Sequence, residues 1–151
     1  MNLEIVPYNK TYAKAFYHLN IEWLETYFYV EDFDREVLSK PQEYILNRGG
    51  HIFFAVENAE VLGTVALMPH NEDFFELTKM AVLPEARGKK IGQKLMHHCI
   101  DFSKTQKMKL MLYSNTKLEN AIYIYKKFGF IEIPVEENSP YKRSNIKMYL
   151  P

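Results

Sequence analysis

The stretch Glu76–Gln93, ELTKMAVLPEARGKKIGQ, limits the fold more than any other part of the chain. Glu76 to Val82 alternates roughly between apolar and polar residues, so it reads as a strand with Leu77, Met80 and Val82 toward the core. Pro84 stops that strand because it has no N–H for a ladder. Arg87-Gly88-Lys89-Lys90-Ile91-Gly92 follows, and Ile91, Leu95, Cys99 and Phe102 then recur at helical spacing. A strand thus feeds through a glycine-bearing loop into the first turn of a helix. Such a helix end presents unpaired N–H groups and the positive end of a dipole, and glycines let a ligand approach the backbone. Together they make a phosphate cradle at a strand end. The loop is not a P-loop, since no Lys-Ser or Lys-Thr follows the second glycine, and its glycine spacing is not the dinucleotide fingerprint. Taken alone, these residues also fit an ordinary strand–helix connection with a capping loop.

The chain is long enough, at 151 residues, for one domain spanning residues 1–151 with its own core. A 47% apolar and 15% aromatic composition marks a folded chain. The 19 basic and 19 acidic residues balance, which argues against general affinity for nucleic acid or membranes, so any anion binding must be local. Cys99 is the single cysteine, so no intrachain disulfide can form. No charged-then-apolar leader opens the sequence and no apolar run reaches membrane-spanning length, so the expected location is the cytoplasm, as a monomer or homodimer.

Read in order, Leu3–Val6 is a short first strand, and Thr11–Tyr29 is one long helix or one broken near its end. Val30–Asp34 reads as an acidic turn, and a shorter helix is expected over Gln42–Asn47, ended by Gly49-Gly50. His51–Glu57 and Val61–Met68 form a hairpin across Asn58-Ala59, and a second turn leads into the Glu76 strand. Lys109–Tyr113 is another strand, Leu118–Phe128 a helix ended by Gly129, and Phe130–Ile133 and Ser144–Leu150 two final strands. Seven strands with interleaved helices predict an α+β fold, a mixed central sheet with helices on both faces.

Two motifs carry a family resemblance. Arg87-x-x-x-x-Gly92, directly after Val82-Leu83-Pro84, resembles the acetyl-CoA motif of the GNAT (GCN5-related N-acetyltransferase) family, departing at one position: Lys90 stands where a glycine is usual. Asn120–Phe130 resembles the family's later helix, Ala-x-x-x-Tyr-x-x-x-Gly-Phe, at Ala121, Tyr125, Gly129 and Phe130. The element order also matches the GNAT acyl-CoA acyltransferase fold over essentially the whole chain. The resemblance implies a transferase that moves the acetyl group of acetyl-CoA, as co-substrate, to the primary amine of an acceptor. It implies that main-chain groups of Met80, Ala81 and Val82 pair with the pantetheine amides like an added strand. It further implies that Arg87, Gly88, Lys89, Lys90, Ile91, Gly92 and Gln93 hold the diphosphate, with Asn115 touching the cofactor or serving only as a turn residue.

The same resemblance makes Tyr125 a hydrogen-bond donor to the departing thiolate; otherwise it is a packed aromatic. Full proton transfer is uphill, since a free tyrosine has a pKa of roughly 10 and a thiol roughly 8.5. Glu76 is the implied general base, directly or through water; the alternative is a strand residue paired with Lys79. The acceptor is expected near Trp23, Tyr27, Tyr29, Glu31, Asp32 and Asp34, with Tyr141 to Arg143 opposite, a set of carboxylates and aromatics suited to a cationic amine. No cysteine lies beside these motifs, which favours direct attack in a ternary complex. The competing reading is a non-catalytic acyl-CoA-binding or regulatory module on the same scaffold. No metal is expected, because consecutive helix positions at His97-His98-Cys99 diverge by about 100° and cannot share an ion.

Overall fold

The computed structural model describes residues 2–151. Seven strands form one sheet in the order β1-β2-β3-β4-β5-β7-β6. They are β1 (Glu4–Pro7), β2 (His51–Glu57), β3 (Glu60–Pro69), β4 (Phe74–Val82), β5 (Lys109–Ser114), β6 (Ile131–Ile133) and β7 (Ile146–Leu150). Neighbours run antiparallel except β4 and β5, which are parallel. Five helices cover it: α1 (Ala13–Tyr27), α2 (Asp32–Ser39), α3 (Pro41–Tyr44), α4 (Ile91–Thr105) and α5 (Glu119–Lys127). The expected mixed sheet with helices on both faces is what the chain forms.

The apolar run in β2 is explained by burial on both faces. Phe53 and Ala55 pack with Leu95, Met96 and Cys99 of α4, while Ile52 and Phe54 pack with Phe16 and Leu24 of α1 and Val37 of α2. Alternate residues of one strand thus feed two cores. Fully burying a side chain of this size contributes about 1.5–3 kcal/mol, so these two layers hold the sheet between its helices.

One helix departs from the expected layout. The acidic segment after α1 is not a turn but the start of α2, and the helix expected over Gln42–Asn47 is the single turn α3 followed by a 3₁₀ turn at Leu46–Arg48. Asp34 accepts the Glu31 N–H at 2.9 Å, and Asp32 and Asp34 occupy the first turn, where carboxylates suit the helix dipole. The acidic cluster is therefore a helix cap as well as a charge.

Candidate active site

The sheet opens at its centre. β4 pairs with β5 only from Phe74 to Glu76, against Lys109 to Met111. From Leu77 to Val82, β4 keeps β3 on one side and has no strand on the other. A cleft of about 950 Å³ occupies the gap. Leu83 N–H donates to Leu62 O on the β3 side at 2.8 Å. Main-chain groups alternate sides along a strand, so Ala81 faces β3 while Met80 and Val82 present theirs to the cleft. Of the three residues expected to form a main-chain edge, two therefore have free groups.

The loop after β4 is the segment expected to cradle a diphosphate. Arg87 N–H is satisfied by Pro84 O at 3.3 Å, but among the described residues the N–H groups from Gly88 to Gln93 have no protein acceptor. The first helical bond of α4 is Lys94 N–H to Lys90 O. Gly88 (φ +85°) and Lys90 (φ +62°) are both left-handed, the backbone conformation from which anion-binding concavities of successive amides are built. The glycine missing from the motif has not changed the backbone: Lys90 takes the conformation a glycine would. At Gly92, a Cβ would meet Met80 Sδ at 3.5 Å and Val82 Cγ2 at 3.9 Å, ordinary van der Waals distances, so the helix start sits against β4 side chains without needing glycine for space. The Arg87 side chain turns to α1, where it holds Glu22 at 2.6 Å and lies over Tyr27. Lys89 is exposed and does not line the cleft, whereas Arg87, Gly88, Lys90, Ile91, Gly92 and Gln93 do.

The GNAT acetyltransferase domain model matches residues 48–132, a span that contains the opened strand, the cradle and α5. The chain belongs to the GNAT family. No curated protein is similar in sequence. Among solved structures, a GNAT-family acetyltransferase from Staphylococcus aureus is 26% identical with TM-score 0.86, over 98% of each chain. A coenzyme A complex of the PaiA N-acetyltransferase from Thermoplasma acidophilum is 19% identical with TM-score 0.78, over 99% of each chain. A chimera built on the spermidine N-acetyltransferase of Vibrio cholerae is 21% identical with TM-score 0.78, over 99% of this chain and 95% of that one. At those two identities the likeness is one of fold.

In this GNAT chain Tyr125 lines the cleft from α5, its ring 6.0 Å from Phe130. Burial pushes its hydroxyl up to about 12, with the Ser114 hydroxyl pulling the other way. Tyr125 remains a neutral donor throughout the working range of an enzyme.

Glu76 is 8% exposed and does not itself line the cleft. Tyr141, which does, donates to Glu76 Oε2 at 2.6 Å. Burial raises the carboxyl above its ordinary value, and the Tyr141 hydrogen bond and the Lys79 charge oppose that rise. Tyr141 is raised in turn, by burial and then by the Glu76 charge. The pair therefore reaches the cleft through a phenol, with a carboxyl behind it.

Sequence reading places Tyr141 only in the acceptor wall and gives it no partner. The loop that carries it is tied down at three points. Arg143 grips both oxygens of Asp34 at 2.9 Å, Asn115 donates to Arg143 O at 2.7 Å, and Lys147 holds Glu136, which also accepts Tyr113 at 2.7 Å. Asn115 lines the cleft while serving this loop. Burial raises Asp34, but Arg143 and the Glu31 N–H outweigh it and leave the carboxyl below its usual range. Of the residues expected around the acceptor, Trp23, Tyr27, Glu31 and Asp34 line the cleft; Tyr29 and Asp32 do not, and Tyr29 lies beneath the Arg143 guanidinium. Among the described residues no helix is long and apolar enough to cross a membrane, and no group of three or more His, Cys, Asp or Glu is placed to hold a metal ion.

Proposed function

We propose that this chain is an N-acetyltransferase that moves the acetyl group of acetyl-CoA to a primary amine by direct attack in a ternary complex. One observation carries the reading. A single cleft joins five residues with acceptor-free amides at a helix start (Gly88 and Lys90 to Gln93), an open strand edge, a half-buried neutral tyrosine, and a phenol backed by a buried carboxyl.

The amides of Gly88 and of Lys90 to Gln93 hold the diphosphate, and Met80 and Val82 pair with the pantetheine arm as a strand would. The acceptor nitrogen forms its bond to the acetyl carbon, and the bond to sulfur breaks. The Tyr125 hydroxyl donates to the departing thiolate. At about 12 it lies roughly 3.5 units above an ordinary thiol, so it stabilises that charge and keeps its proton. The proton lost by nitrogen passes to the Tyr141 oxygen as Tyr141 gives its own to Glu76 Oε2. Burial, by raising Glu76, brings it closer to an amine in basicity.

The test pairs two measurements. Calorimetry with acetyl-CoA compares the protein with Gly92→Glu, which sets a carboxylate in the cradle. Binding should weaken roughly 100-fold or more, since each lost charged hydrogen bond contributes about 1.5–3 kcal/mol. Equal affinity would remove the cradle. Thiol release over a broad amine panel then reads turnover, and tight binding with no turnover for any amine would mark a binding module.

A further inference from the structure

Lys79 has no task in the reaction just described, yet it points into the same cleft. It stands at an irregularity in β4. Thr78 pairs with Ala66 and Ala81 with Thr64, so Lys79 and Met80 together oppose Val65. That is a β-bulge, and Lys79 takes φ +55° within it. A lysine is strained in this region, and such strain gathers where a side chain has been re-aimed. Here the bulge sends the side chain toward the acceptor half, with Nζ 5.9 Å from the Tyr141 ring centroid.

The ammonium has no counter-ion there. Among the described residues it makes no ion pair and no hydrogen bond to a side chain. The nearby carboxylates are already engaged, Asp34 by both arms of Arg143 and Glu76 by Tyr141. Burial disfavours its charge, Glu76 and Asp34 support it, and Arg143 repels it. An enclosed cation with engaged neighbours is a costly arrangement unless a ligand completes it.

We propose that the acceptor is an amino-acid-like zwitterion, with a carboxylate close to the amine that is acetylated, and that Lys79 binds this carboxylate while the amine faces Tyr141 and Glu76. This rests on the acetyltransferase reading. A polyamine is the wrong partner, because its second cation would meet Lys79 and Arg143. A lysine whose charged form a carboxylate would complete also favours a free amino acid over a peptide N-terminus, whose nearest carbonyl is an uncharged amide.

The experiment uses matched pairs: α-, β- and γ-amino acids against their primary amides, with spermidine as a third class. Two readouts are taken on the whole protein, binding to the coenzyme A complex by calorimetry and kcat/KM with acetyl-CoA. The expected result is an acid preferred to its amide by tenfold or more, expressed in KM. Lys79→Met should shrink the acid-to-amide ratio at least tenfold, and Lys79→Arg should keep part of it. Equal use of acid and amide, a preference for spermidine, or no binding by any acid would overturn the proposal. So would an unchanged ratio in a folded Lys79→Met variant. Acid binding without turnover would uphold the carboxylate site and sink the acetyltransferase reading, whereas turnover blind to the carboxylate would do the reverse.

Discussion

Tyr141→Phe isolates the contact that joins the cleft to its buried carboxyl. The ring stays, and with it the packing on Tyr113 at 5.5 Å, so the change removes one hydroxyl. What disappears is a 2.6 Å O–H···O bond to Glu76 Oε2. A hydrogen bond to a charged group contributes about 1.5–3 kcal/mol, and one pKa unit is 1.36 kcal/mol. That bond favours the ionised carboxyl, so its loss should raise Glu76 by about 1–2 further units. The base must be ionised to act, and activity falls below its pKa. The acid limb of the kcat profile, taken at saturating acceptor, should therefore move up in pH by about 1–2 units. The plateau should fall roughly 100-fold as well, because the phenol no longer carries the proton. A profile with the wild-type limb and plateau, in a variant of normal melting temperature, would show that the hydroxyl neither holds Glu76 nor relays through it.

Three further outcomes follow from the same geometry. Glu76→Gln should lower kcat by about 100-fold or more at neutral pH without lowering thermal stability. Burial raises the folded carboxyl, so wild-type stability is fullest below the unfolded pKa and declines as pH rises through the folded one. The melting advantage of the Glu76→Gln variant over the native protein should then grow as pH rises above the ordinary glutamate value, and a gap that narrowed would refute the sign. Tyr125→Phe should cut kcat about tenfold with little change in the KM for acetyl-CoA, and a loss confined to affinity would reduce it to packing. Lys90→Gly relieves a left-handed lysine worth about 1–2 kcal/mol against about 0.5–1 kcal/mol of glycine entropy, so denaturant melts should show equal or slightly greater stability.

The parts of the molecule that local chemistry controls are readable from the residues alone. Pro84, the loop glycines and the periodicity of Ile91, Leu95 and Cys99 place the strand, the loop and α4. Even the bulge leaves a trace. Leu77, Met80 and Val82 read from the sequence as the core-facing residues of this strand, yet a step of three between the first two breaks the period of a strand and marks one extra residue. The helix α2 is hidden because VEDFD has the composition of a turn, and only the Glu31–Asp34 cap reveals it as a start. The Tyr141–Glu76 contact lies beyond reach for a different reason. It joins residues 65 apart, across a loop with no periodicity, and nothing local constrains such a meeting. Lys79 is visible as a residue but not as a direction, which the bulge decides.

The gap in the sheet has one more effect. A bare strand edge on the outside of a protein invites any neighbouring strand to stack on it, and chains guard such borders with charge or proline. Here the unmatched border of β4 is turned inward, walled by α4, α5 and the Tyr141 loop. A folded neighbour is too bulky to reach it, while a thin extended arm can slide in lengthwise. The molecule can thus keep a sticky margin exposed to its guest and closed to aggregation.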